Sequence, residues 1–267
     1  MHLKRWLTAI VLTPILIFLI GPGPRWAFHI FLYLVSMVGL VEFFKLGGPH
    51  LPRFVRWSCY TLTLILFLVI HLRQILLAPI IIVLWAAVPM TYFMLNHPLP
   101  DKELSADIGK AVLGPIYVAL PIALLQLIDI LPHGNLWIFF VLSVIVANDT
   151  LAFYAGRLFG RHKLHEPISP GKTWEGAIGG VIGSVFAGAL FVKIVHIHPL
   201  NMAILILSFA LSVAGQTGDL VESMVKRAHG VKDSGRILPG HGGILDRIDG
   251  LIFAIPVLYL YISLWVI

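Results

Sequence analysis

Charge is scarce in this chain and cysteine almost missing. Only 12% of its 267 residues are charged against 58% hydrophobic, and the mean hydropathy is +0.93. Soluble globular domains carry about 25% charged residues, so a water-soluble fold is excluded. One cysteine, Cys59, rules out an intrachain disulfide and a cysteine cluster for zinc or iron–sulfur; it is expected to pack or to face lipid. Internal repeats and low-complexity stretches are missing, and so is a polar gap long enough to build a soluble core.

What the chain has instead is nine apolar runs, at about 6–20, 26–44, 57–71, 75–95, 111–129, 136–156, 174–195, 202–220 and 250–267. A helix crosses the hydrocarbon core with roughly 20 apolar residues, so the expected fold is an all-α polytopic membrane protein of about nine transmembrane helices with no soluble domain. It is read as a single integral membrane domain: 1–135 mainly packing and anchoring helices, 136–250 the catalytic helices and their loops, 250–267 the last span. The first run ends in "GPGPRW" without a small-residue cleavage pattern, so it is expected to be retained. Pro14, Pro79, Pro89, Pro115 and Pro121 are tolerable kinks within spans.

Lys and Arg accumulate in cytoplasmic loops. With the N-terminus inside, sixteen of the 19 fall on the inner side, leaving Arg25, Arg73 and Lys193 outside. This predicts a cytoplasmic N-terminus, a C-terminus on the opposite side and, in a bacterial cell, the inner membrane. The net charge of +6 is then a topology signal and an attraction to anionic headgroups, and no nucleic-acid partner is expected.

Of the 13 acidic residues, eight follow residue 140: Asp149, Glu166, Glu175, Asp219, Glu222, Asp233, Asp246 and Asp249. All eight map to the expected cytoplasmic ends of the last four helices or to the loops joining them. Asn148 and Asp149 interrupt an apolar run, and an ionisable residue inside a span is a functional candidate; the competing reading is a structural pair with Arg157.

In "SPGKTWEG", Pro170 and Gly171 are read as a turn, with a helix starting near Lys172 or Thr173 and Glu175 in its first turn. A helix start beside a lysine and two hydroxyls, Ser169 and Thr173, suits phosphate. It is also an ordinary cap, and it lacks the spacing of a Walker P-loop. Gly176, Gly179, Gly180 and Gly183 are expected to serve close helix packing.

Asp219, Glu222 and Lys226, spaced by three and four residues, share one helix face, and Asp246 and Asp249 repeat the three-residue spacing. Acidic pairs at a membrane surface suit a divalent cation; Mg²⁺ usually takes one or two carboxylates plus substrate phosphates. Lys226, Arg227, Lys232 and Arg236 suit phosphate charge, and "PGHGG" places His241 among glycines.

The segment "SMVKRAHGVKDSGRILPGHGGILDRID", residues 223–249, resembles the signature of the phosphatidate cytidylyltransferases, also called CDP-diacylglycerol synthases. The matching positions are Ser223, Lys226, Arg227, Lys232, Asp233, Pro239, His241, Gly242, Gly243, Asp246, Arg247 and Asp249, and the resemblance extends to "SPGKTWEG" and "GDLVESMVKR". It implies transfer of the cytidylyl group of CTP to phosphatidate in a membrane, giving CDP-diacylglycerol and pyrophosphate in phospholipid biosynthesis, with Mg²⁺ as cofactor, and it admits a second, monovalent cation. On the resemblance Asp219 and Asp246 are the metal ligands. Glu222 and Asp249 would be further ligands or stand close by, and Lys226, Arg227, Lys232 and Arg247 would hold phosphates. Ser169, Lys172, Thr173 and Glu175 would form another wall, with Asn148 and Asp149 at the floor; Ser223, Asp233 and His241 would complete the substrate contacts.

The helices before residue 130 have no catalytic duty in this reading, which leaves them for a homodimer contact. Three rivals remain: a CDP-alcohol or prenyl-phosphate transferase, a CTP-dependent polyprenol kinase, and a secondary transporter with Asp149 and Asp219 as ion sites. The transporter predicts repeated halves, and none is visible.

Overall fold

A computed structural model of the chain describes residues 2–96, 102–235, 237 and 242–266, with side chains from Ile10 in the first helix and from Glu103 in the fifth. In chain order it contains α1 (His2–Ile20), α2 (Arg25–Gly47), α3 (Arg53–His71), α4 (Ala78–Asn96), α5 (Lys102–Gly114), α6 (Leu120–Asp129) and α7 (Gly134–Phe159). A two-stranded hairpin follows, β1 (Lys163–His165) and β2 (Ser169–Thr173), then α8 (Trp174–Val195), α9 (Met202–Ala228) and α10 (Leu245–Trp265).

Among the described residues eight helical spans are long and apolar enough to cross a membrane. They are Arg25–Gly47, Arg53–His71, Ile75–Asn96, Glu103–Asp129, Gly134–Phe159, Trp174–Val195, Met202–Ala228 and Leu245–Trp265. They coincide with eight of the nine expected runs, and α1 carries a shorter apolar stretch, Ile10–Ile20. The chain is an all-α polytopic membrane protein. Large apolar side chains on its outer surface, such as Leu68, Ile182 and Phe186, are what a lipid solvent requires.

Three helix ends lie well away from expectation: α5 starts at Lys102 where hydropathy began the run at 111, and the other two belong to α9 and α10. α9 runs on to Ala228 and α10 starts at Leu245, whereas hydropathy ended one at 220 and began the other at 250. Hydropathy marks what lipid covers, but a helix stops where its capping chemistry stops it, so the polar turns carrying Asp219, Glu222, Lys226, Asp246 and Asp249 are helical.

The chain folds into two compact units. Met1–Leu127 with Asp233–Asp246 form one, and Ile128–Lys232 with Arg247–Ile267 form the other. The first holds α1 to α5 and most of α6. Its core includes Leu40, Phe44, Val55, Leu66, Trp85 and Val118, all buried. Cys59 is also fully buried and its thiol donates to the Ala111 carbonyl at 3.5 Å, so it packs and does not face lipid. Pro14 and Pro89 sit inside helices. Pro115 opens a five-residue π-helical segment joining α5 to α6, the adjustment a missing N–H imposes within a continuing helix.

In the second unit α7 and α8 lie against each other, and small residues make this possible. A Cβ on Gly180 would stand 2.7 Å from Asn148 Oδ1, and one on Gly176 would stand 2.8 Å from the Ala152 carbonyl oxygen. Additional side chains at Gly179 and Gly183 would strike Ala155 and Leu151. These four glycines therefore serve close packing, as expected. α9 approaches α10 in the same way, where a side chain at Gly218 would run into the backbone of Asp249.

Candidate functional site

The second unit gathers most of the expected site residues. Thr173 caps α8, its Oγ1 accepting from Gly176 N at 3.1 Å, so the helix starts where the sequence placed it. The preceding Ser169, Pro170 and Gly171 are in strand β2 and not in a turn; the turn falls at 166–168. Antiparallel pairing with β1, Lys163 opposite Thr173 and His165 opposite Ser169, engages the backbone that a turn at Pro170 would have left free. Glu175, in the first turn of α8, accepts from His162 N at 3.3 Å and lies 2.7 Å from its Nδ1, fastening the hairpin to the helix. Arg227 donates to the Ile168 carbonyl at 3.4 Å, a contact from α9 to the hairpin turn.

Held at the end of β2, Lys172 reaches α9, where its Nζ is 2.7 Å from Asp219 Oδ2. Asp219 Oδ1 is 3.4 Å from the Ser223 hydroxyl one turn on. The charge of Asp219 acts on both Asp149 of α7 and Asp249 of α10, and that of Asp149 also acts on Asp249. Lys172 also acts on Asp149, and Lys226 on Asp249. Three carboxylates from three helices thus share one electrostatic neighbourhood with two ammonium groups. Asp149 makes no ion pair with Arg157 among the described residues; its Oδ1 accepts from Asn148 Nδ2 at 3.0 Å.

The buried Asn148 is fixed in turn from α9. Its Oδ1 accepts from Ser212 Oγ at 2.7 Å and from Gln216 Nε2 at 2.8 Å, while Gln216 Nε2 also donates to the Ala177 carbonyl at 3.0 Å. Sequence reasoning gave neither Ser212 nor Gln216 a role; a polar residue every fourth position in an apolar run was the available signal. Glu222 is buried and pairs with Lys226, four residues on, so the expected common face of α9 exists. Lys232 and Arg247 are exposed.

Asp246 belongs to the first unit. Its carboxylate accepts from Ser234 N at 3.1 and 3.2 Å and from Gly243 N at 2.8 Å, and Asp233 is exposed nearby. His241 lies outside the described residues, as do Arg236 and Pro239. Glu42 on α2, which sequence reasoning passed over, is buried among the same segments.

The carboxylates of Asp149, Asp219 and Asp249 are hard oxygen donors without imidazole or sulfur among them, which is the chemistry Mg²⁺ accepts. Their mutual repulsion is relieved by cations, and Lys172 already supplies one. Among the described residues no group of three or more His, Cys, Asp or Glu is arranged to hold an ion alone; Mg²⁺ is commonly bound by one or two carboxylates with substrate phosphates, so the donor set fits.

The sequence profile described as the cytidylyltransferase family matches residues 3–265. The chain is 33% identical over 264 residues to the uncharacterized protein YnbB of Escherichia coli (strain K12), covering 90% of this chain and 80% of that protein. It is 48% identical over 130 residues to the phosphatidate cytidylyltransferase of Brucella abortus biovar 1 (strain 9-941), covering 49% of this chain and 48% of that one, so this match spans about half of each. It is 40% identical over 173 residues to the phosphatidate cytidylyltransferase of Staphylococcus saprophyticus subsp. saprophyticus (strain ATCC 15305), covering 64% and 66% respectively. A profile match over nearly the whole chain, on a polytopic helical fold that joins Lys172 to Asp219, shows that the chain belongs to the cytidylyltransferase family.

Proposed function

We propose that the protein transfers the cytidylyl group of CTP to phosphatidate, giving CDP-diacylglycerol and pyrophosphate within a membrane. The observation that carries this reading is the Lys172–Asp219 contact of 2.7 Å. It unites "SPGKTWEG" and "GDLVESMVKR", the two stretches that with the 223–249 signature carry the family resemblance, around a cluster of three aspartates.

In the reaction a phosphate oxygen of phosphatidate attacks the α-phosphorus of CTP, and the bond from that phosphorus to the bridging oxygen of pyrophosphate breaks. Both reactants are anionic, so catalysis is mostly positioning and charge neutralisation. The nucleophile is already ionised at neutral pH, and no general base is needed. Lys172, Lys226, Arg227, Lys232 and Arg247 supply positive charge for phosphate oxygens; Glu222 orients Lys226, and the hairpin orients Lys172 and Arg227. Asn148, itself locked by Ser212 and Gln216, orients Asp149. Mg²⁺ held by Asp219, with Asp149 and Asp249 beside it and Asp246 as the family signature implies, would neutralise charge developing on the phosphates and leaving group.

The Lys and Arg distribution supports a cytoplasmic N-terminus and a cytoplasmic reaction site, with the C-terminus opposite. Phosphatidate then arrives laterally and CTP from the cytosol. A homodimer through the helices before residue 130 is part of the proposal.

The test follows the two ends of CTP. With purified protein, phosphatidate and Mg²⁺, label at the α-phosphorus should enter the lipid phase and label at the γ-phosphorus should leave as pyrophosphate. Transfer of γ-label to lipid would mean a CTP-dependent lipid kinase and would overturn the reading.

A further inference from the structure

Among the described buried acids the transfer chemistry leaves two unused, Asp129 and Glu42. Glu42 lies on α2 and is 1% exposed. A buried carboxylate is costly unless hydrogen-bonded, and this one has three donors. Its Oε1 accepts from Ile244 N at 3.2 Å; its Oε2 accepts from Leu245 N at 2.9 Å and from the Ser234 hydroxyl at 3.2 Å. Leu245 opens α10, so Glu42 supplies a negative partner to the orphan N–H groups and positive end of that helix.

The same segments are tied a second time by Asp246, which accepts from Ser234 N and Gly243 N. Ser234 is the shared member: its hydroxyl goes to Glu42 and its N–H to Asp246. The glycines on either flank follow from this. A side chain on Gly235 or Gly243 would strike the Glu42 carboxylate, and one on Gly243 would also strike the Ser234 hydroxyl, so only glycine lets the backbone come this close.

We infer that Glu42 is a positioning residue for cytidylyl transfer: it clamps the Ser234 and Gly243 to Leu245 flanks of the signature segment and thereby sets the placement of Asp246. This role presupposes the transfer reaction. Glu42 touches no reacting atom; it acts through the segment that carries Asp246. Exchanging its carboxylate for an amide turns one of the two acceptor oxygens into a donor facing a donor.

The experiment combines kinetics with amide hydrogen exchange on the full-length protein in detergent micelles, comparing wild type, E42Q, E42D and S234A. In E42Q the amides of Ile244 and Leu245 should exchange at least about tenfold faster while α7 and α8 exchange as in wild type, and kcat should fall about tenfold or more with KM for CTP changing less than about threefold. E42D, which keeps the acceptors on a shorter stem, should recover part of kcat. S234A, which removes one donor and leaves the charge, should show the same pattern more weakly, and it carries the test if E42Q does not fold. Wild-type exchange at Ile244 and Leu245 in both E42Q and S234A would overturn the clamp. Faster exchange with unchanged kcat would overturn the positioning role. A wild-type protein that transfers no cytidylyl group at all would refute the transfer reading instead, while the exchange data would still decide the clamp.

Discussion

Lys172 Nζ stands 2.7 Å from Asp219 Oδ2, which joins the residue just before the cap of α8 to the polar end of α9. Two motif fragments far apart in the chain meet at this one ion pair, and the charges of Asp149 and Asp249 reach the same place. Lys172 is thus the counter-charge of an acidic cluster, and in the proposed reaction it would also hold phosphate.

Replacing it separates these duties. Lys172→Ala should lower kcat/KM for CTP about a hundredfold, and Lys172→Arg, which keeps the charge but not the compact ammonium, should recover part of the loss. Initial rates at limiting CTP measure this; a wild-type rate in the alanine variant would contradict the phosphate role.

Asn148 predicts a stability effect. Its Oδ1 accepts from Ser212 and Gln216, and Ser212 is fully buried. Asn148→Ala takes the acceptor from the Ser212 hydroxyl and leaves Gln216 with the Ala177 carbonyl, so the folded state should lose about 1–3 kcal/mol, read as a lower unfolding temperature in detergent. Turnover should fall as well, because Asp149 loses the amide that orients it.

Gly218 predicts a packing effect on the site. A methyl group there would push against the backbone of Asp249, so Gly218→Ala should move α10 away from α9 and reduce turnover about tenfold or more. Gly109→Ala is the control: a Cβ there meets nothing within 4 Å, and its activity should stay at the wild-type level. Equal rates in both variants would contradict the role given to the close approach of α9 and α10.

Metal removal gives a further outcome. A chelator should stop turnover and added Mg²⁺ should restore it, whereas the same addition should leave Asp219→Asn inactive. Full turnover in excess chelator would exclude the cation from the reaction.

The helical spans were legible because lipid demands long apolar runs, and the shared face of Asp219, Glu222 and Lys226 was legible because three- and four-residue spacings decide it. The ends of α9 and α10 were not, since charged turns look like loops to hydropathy. The hairpin around residues 163–173 was hidden by "EPISPG", whose prolines and glycine argue for a turn, while the strand is set by pairing with β1. Glu42 was hidden most deeply. A single acid in an apolar run reads as an isolated oddity, and its partners stand 192 to 203 residues away in the chain. No local pattern reports a contact of that range.

The central claim is that this chain moves a cytidylyl group using the Asp219 cluster. Asp219→Asn tests it more cleanly than a change at Asp246, whose carboxylate also holds the backbone of Ser234 and Gly243. The measurement is transfer of label from the α-phosphorus of CTP into the lipid phase by purified protein with phosphatidate and Mg²⁺, wild type beside Asp219→Asn. Label should enter lipid with the wild type and fall about a thousandfold or more in Asp219→Asn protein that unfolds at the same temperature. Wild-type transfer by folded Asp219→Asn would contradict it.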